Sequence, residues 1–202
     1  DKMTVAGQIT ISSIENDQGG DFYGVLDVAC DRDNSSRIAY VVYQTIHLKG
    51  EDPAARYRTV VGKIDLRNFS NKSLTTAWTS EMSGPNFAGR LVTLPENKAL
   101  ITFSDSEPYG ARQANGLFRP DDPDLLIGKV GLVDFSSGQF EIYSKGHRNP
   151  QGLFMTSTGE IYETEHGPKG GDELNLIVRG GNYGWPYESH GVDYGSYRWK
   201  HG

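Results

Sequence analysis

The feature that most constrains this chain is a unit that occurs three times: an apolar strand, a polar turn and a second apolar strand. Residues 24–29 (GVLDVA) pass through a turn at 33–36 into 38–43 (IAYVVY). Residues 89–94 (GRLVTL) turn at 95–97 into 99–103 (ALITF), and 151–155 (QGLFM) turn at 157–159 into 161–164 (IYET). Each unit is followed by more strand-like sequence before the next begins. Alternation of this kind marks strands with one face in a core. It predicts strands at 25–31, 37–45, 58–66, 75–79, 90–94, 99–104, 129–135, 139–144, 152–156, 160–165 and 173–178. No long stretch carries a helical period. Four-stranded sheets recurring with turn-rich punctuation predict an all-β fold, a β-propeller, of which this chain supplies about three blades.

Composition agrees and excludes some functions. Glycine, at 25 of 202 residues, stands well above the average of about 7% and falls mostly between the strands. The formal charge is −6, from 26 acidic and 20 basic residues. No segment gathers Lys and Arg, so the phosphate neutralisation that drives nucleic-acid binding has no source. Apolar runs such as 24–30 fall far short of the roughly 20 residues of a membrane-spanning helix. The lone Cys30 sits in an apolar run and is expected to be a buried small hydrophobe, with no internal disulfide. Two long connections, 49–57 and 105–126, interrupt the rhythm and are expected to stand as solvated loops on one face. Three blades do not close a ring of four to eight. The chain is therefore expected to be part of a longer protein, or to complete its ring with further copies as a homo-oligomer. It starts at Asp1 without a charged leader, so any signal peptide is expected to have been removed or to lie outside it.

Polar and backbone-special residues concentrate in "GHRNPQGL" (146–153), "TGEIY" (158–162), "EHGPKGGDELNLI" (165–177) and "GGNYGWP" (180–186). In that order and spacing they resemble the soluble quinoprotein glucose dehydrogenase and aldose sugar dehydrogenase family, six-bladed propellers that bind pyrroloquinoline quinone (PQQ). Weaker likeness runs through 24–45 and 88–105, so the resemblance covers nearly all of 1–202, read as one partial propeller domain. It implies PQQ held by Arg148 and Asn149, with His166 and Asp172 beside it. It implies a calcium ion on the main-chain carbonyls of Gly167 and Pro168, hard oxygen donors of the kind Ca²⁺ favours. A second, structural calcium would rest on Glu173, Tyr183 and Asp193. Tyr183 and Trp185 themselves read as packing residues of a turn between blades.

The resemblance further implies oxidation of an aldose or related alcohol, with hydride passing to the quinone and electrons then to an external acceptor, in a periplasmic or secreted protein. One departure bears on the chemistry. The family's catalytic histidine stands three residues before a Gly-Arg pair, and here that position is Asn86, ahead of Gly89-Arg90. An amide does not accept a proton near neutral pH. Two loop histidines, His147 and His166, stand nearby in sequence, and His166 is the substitute named for the catalytic role. The alternative is a catalytically silent propeller that binds a carbohydrate or a protein.

Overall fold

The computed structural model describes residues 20–33, 35–47, 56–68, 74–81, 83–105 and 119–192. The eleven strands expected from alternation are present, with ends displaced by a few residues. They are β1 (Asp21–Cys30), β2 (Ile38–His47), β3 (Arg56–Asp65), β4 (Leu74–Thr79), β5 (Leu91–Leu94), β6 (Lys98–Phe103), β7 (Lys129–Asp134), β8 (Phe140–Lys145), β9 (Pro150–Met155), β10 (Ile161–Glu165) and β11 (Glu173–Ile177). The only helical elements among the described residues are two short 3₁₀ turns, Leu66–Asn68 and Arg119–Asp121. The inserted connections at 49–57 and 105–126 lie largely outside the described residues.

The strands form three antiparallel sheets, β1-β2-β3-β4, β5-β6-β7-β8 and β9-β10-β11, each pairing consecutive strands. Strand β5 contacts both β1 and β9, so the first strands of the three sheets stand side by side. This is the blade arrangement of a β-propeller, and the chain carries about three blades.

Period-two alternation decides which blade each side chain faces. In β6, Ala99, Ile101 and Phe103 pack with Tyr40, Val42, Val61 and Trp78 of the first sheet. Leu100, between them, joins Val130 and Leu132 against Ile161 and Ile177 of the third sheet. The middle blade is thus covered on both faces, which is why β6 and β7 read as nearly continuous apolar runs. The outer blades are not. Val25 and Val28 of β1 and Leu174 and Leu176 of β11 are at least half exposed. Cys30, at the end of β1, is exposed as well. This corrects the expected buried thiol: the alternation of β1 is right, but no neighbouring blade covers that face among the described residues.

The blades are tied by hydrogen bonds between their first strands. Arg90 donates from Nη1 to the Leu26 carbonyl (2.5 Å) and from Nη2 to Gln151 Oε1 (2.9 Å), joining all three sheets through one side chain. Asp27 accepts from the Leu91 N–H at 2.9 Å, and Thr93 Oγ1 donates to the Cys30 carbonyl at 2.9 Å.

Candidate functional site

The polar motifs meet where β8 hands over to β9 and β10 to β11. Gly146 makes the first turn with φ +76°, and a Cβ there would lie 2.2 Å from Asn182 Oδ1, so the turn closes only on glycine. The Gly146 carbonyl accepts from the Trp185 N–H at 2.9 Å, drawing the "NYGWP" stretch under the loop. Trp185 is 4% exposed, and its indole Nε1 donates to Asp105 Oδ2 at 2.8 Å. The Asp105 N–H donates back to the Arg148 carbonyl at 2.7 Å. Arg148 lies over the Trp185 ring, 5.5 Å from its centroid, a stacked arrangement suited to guanidinium.

Arg148 is fixed from both ends. Its main-chain N–H donates to Glu165 Oε2 at 2.9 Å, while Nη1 donates to the His166 carbonyl at 2.7 Å. The His166 N–H donates to the Asn149 carbonyl at 3.0 Å, and Asn149 Oδ1 accepts from Gln151 Nε2 at 2.7 Å. Asp172 closes the second loop: Oδ1 accepts from the Gly167 N–H at 3.1 Å and Oδ2 lies 3.2 Å from His166 Nδ1. Arg148, Asn149, His166, Gly167 and Asp172 are therefore one contiguous group, as their sequence order suggested. His166 and Asp172 are exposed, at 58% and 64% of their side chains.

The Gly167 turn packs tightly against main-chain oxygen. A Cβ at Gly167 would stand 2.3 Å from the Gly171 carbonyl and 2.4 Å from that of Gly170. Gly170 and Gly171 have φ of +80° and +71°. Only glycines allow carbonyls to crowd in this way, and Pro168 is buried beside them. A guanidinium and an amide suit an anionic quinone, and a carboxylate with main-chain oxygen suits a hard cation, so the residue types present are those that PQQ with calcium would use.

Asn86 is placed differently from a side chain that meets substrate. It is 3% exposed. Its Nδ2 donates to the Thr102 carbonyl (3.0 Å), and its Oδ1 accepts from the Ala88 and Ser104 N–H groups (3.0 Å each). The amide fastens the turn before β5 to the end of β6. Of the residues expected around a second calcium, Glu173 and Tyr183 line one polar cleft of about 480 Å³ with Asn175, Glu188 and His190, while Asp193 lies outside the described residues. The Tyr183 hydroxyl donates to the Leu176 carbonyl at 2.6 Å and holds the turn, in line with a packing role.

Sequence reasoning missed one cluster. His147, read as a loop residue, is fully buried, together with Glu163 and Glu165 at 1% and 5% exposure. Burial, with the Glu165 carboxylate beside it, pushes the Glu163 carboxyl up to about 9. The signal was available in β10. Period two puts Glu163 and Glu165 on the same face as the core residue Ile161.

The sequence profile of the glucose/sorbosone dehydrogenase family matches residues 3–202. The chain belongs to this family. Among glucose/sorbosone dehydrogenase relatives, quinoprotein glucose dehydrogenase B of Acinetobacter calcoaceticus is 38% identical over 124 residues, covering 49% of this chain and 25% of that protein. Aldose sugar dehydrogenase YliI of Escherichia coli K12 is 30% identical over 189 residues, 87% of this chain and 49% of YliI. The crystal structure of the soluble aldose sugar dehydrogenase of E. coli in its apo form superposes with a TM-score of 0.67 at 28% identity, covering 89% of this chain and 53% of that one. The chain thus spans about half the length of such family members. No helix among the described residues is long and apolar enough to cross a membrane.

Proposed function

We propose that the protein to which this chain belongs is a PQQ- and calcium-dependent dehydrogenase of aldoses or related alcohols, exported to the periplasm or beyond, and that this chain carries the cofactor-holding half of its site. The observation that carries the reading is the contiguous Arg148–Asn149 and His166–Asp172 group, tied by Arg148 Nη1 to His166 O and by His166 N to Asn149 O. When bound, PQQ with its calcium supplies a two-electron acceptor polarised by a cation. Arg148, stacked on Trp185 and held at its main chain by Glu165, would present its guanidinium to a cofactor carboxylate with little entropy left to lose. Asn149 would add an amide. The carbonyls of Gly167 and Pro168 would hold the calcium, and Glu173, Tyr183 and Asp193 a second, structural one.

The proton of the substrate hydroxyl needs an acceptor, and the Asn86 amide is committed to main-chain partners. His166 is the side chain in this group that can serve. If Asp172 accepts from His166 Nδ1–H, the ring is held in the tautomer that leaves Nε2 with a free lone pair, as in histidine–carboxylate pairs generally. Asp172 would then be a positioning residue and Nε2 the atom that receives the proton.

In the complete protein, Arg148→Ala is expected to weaken PQQ binding measured by calorimetry in calcium. His166→Gln is expected to keep cofactor binding and to lose on the order of 10² or more in kcat. Unchanged PQQ affinity in Arg148→Ala would overturn the cofactor reading. Undiminished turnover in His166→Gln would move the base elsewhere.

A further inference from the structure

We propose that His147, Glu163 and Glu165 form a buried site for one divalent transition-metal ion of the zinc class, separate from the PQQ–calcium group. His147 Nδ1 lies 3.6 Å from Glu165 Oε2 and 3.8 Å from Glu163 Oε2. One ligand atom from each of the three residues falls within 4.8 Å of the others. A four-coordinate ion with bonds of about 2.0–2.2 Å needs donors roughly 3.3–3.6 Å apart, so the two imidazole–carboxylate separations are already near that spacing and binding has to draw the set together from within 4.8 Å.

His147 Nδ1, which faces both carboxylates, and Glu163 Oε1 have no hydrogen-bond partner, and both residues are essentially fully buried. A buried ring nitrogen and a buried carboxyl oxygen that both lack a hydrogen bond are a costly arrangement that a shared cation removes. Among the described residues no lysine or arginine forms an ion pair with either glutamate.

The surroundings also orient the ligands. His147 Nε2 lies 2.8 Å from Ser144 Oγ. With Nε2–H given to that oxygen, Nδ1 keeps the lone pair a metal needs, the usual outer-shell device of ligating histidines. Tyr183 stacks on the imidazole at 4.7 Å and 23° and fixes its plane. Glu165 Oε2 is held by the Arg148 N–H, and Glu163 Oε2 by Asn175 Nδ2 at 3.2 Å. Asn175 also bonds Glu173 Oε2 at 3.3 Å and lines the polar cleft with Tyr183. One imidazole and two carboxylates suit zinc, manganese or iron(II), whereas calcium asks for six to eight oxygens.

The test uses the complete protein, stripped by a chelator and titrated with zinc by calorimetry, with melting temperature read in parallel. One equivalent is expected to bind, to raise the melting temperature, and to persist in Arg148→Ala and in excess calcium, which separates this site from the proposed cofactor group. Glu163→Gln keeps the shape and the Asn175 contact, and is expected to fold yet lose the zinc equivalent, as is His147→Gln. Should these variants fail to fold, cobalt titration of the unmodified protein decides. Intense visible bands of a four-coordinate nitrogen–oxygen site support the proposal, and the weak spectrum of hexa-aquo cobalt overturns it. Absence of binding at micromolar free zinc, or an undiminished equivalent in Glu163→Gln, overturns it too.

Discussion

Replacing Arg90 by alanine in the complete protein is expected to loosen the inner ring of strands. The guanidinium makes two hydrogen bonds, to Leu26 O and Gln151 Oε1, and bonds from a charged donor contribute about 1.5–3 kcal/mol each. Arg90 is only half-buried, so water can reach part of what is freed, and a loss of about 3 kcal/mol is the working figure. Against a total stability of about 5–15 kcal/mol, that is a large fraction. It corresponds to a fall in melting temperature of roughly 6–12 °C for a domain of about 150–250 residues, and to a smaller fall in a longer one. Arg90→Lys is expected to recover less than half, because a compact ammonium cannot span both partners. Urea unfolding monitored by tryptophan fluorescence measures the change. A double-mutant cycle with Gln151→Leu isolates the pair, with an expected coupling above about 1 kcal/mol. If Arg90→Ala costs under about 1 kcal/mol at unchanged m-value, the three-sheet tie contributes nothing and the reasoning is wrong.

Three further outcomes are expected. Gly131→Ala would place a Cβ 2.1 Å from the Phe140 ring, which itself stacks on Trp78, so a loss of about 1–3 kcal/mol from overpacking should appear in the same urea assay. Asn86→Ala removes an amide with three main-chain bonds and should cost about 2–4 kcal/mol; no change in melting temperature would show that the turn is fastened otherwise. Lys129 is 1% exposed, and burial lowers its ammonium from 10.5 to about 8. Between those values the unfolded chain still holds the proton that the folded chain has released, so stability attributable to Lys129 rises with pH across about 8 to 10.5 and is flat below. The stability advantage of Lys129→Met over the unmodified protein should therefore shrink by up to about 3 kcal/mol from pH 7 to pH 10; an advantage independent of pH would refute the assignment.

The strands were legible because alternation is a local property: β6 reads apolar throughout since Leu100 and Ile101 enter two different cores. The loop group was legible because its backbone needs glycine at fixed places, such as the Gly167–Gly171 turn. Burial at Cys30 was not, because a first strand is covered only if another blade lies against it. The depth of His147 was not legible either. It depends on Tyr183 returning from 36 residues downstream to stack on its ring, a contact that no local pattern encodes. Asn86 marked a departure by residue type alone, and only the structure shows its amide turned into main-chain partners.

The pairing of consecutive strands within every sheet has a kinetic consequence. Each blade closes by hairpin steps between sequence neighbours, events on a scale of about 1–10 μs, without waiting for the rest of the chain. The bonds between blades span far more chain: Arg90 and Leu26 are 64 residues apart, and Trp185 and Asp105 are 80 apart. Loop closure over such lengths must be met before those bonds form, so docking of finished blades is the slow stage. During synthesis a blade can be complete while its neighbour is still being made. A misfolded species is accordingly expected to keep correct sheets and to join them in the wrong partnership.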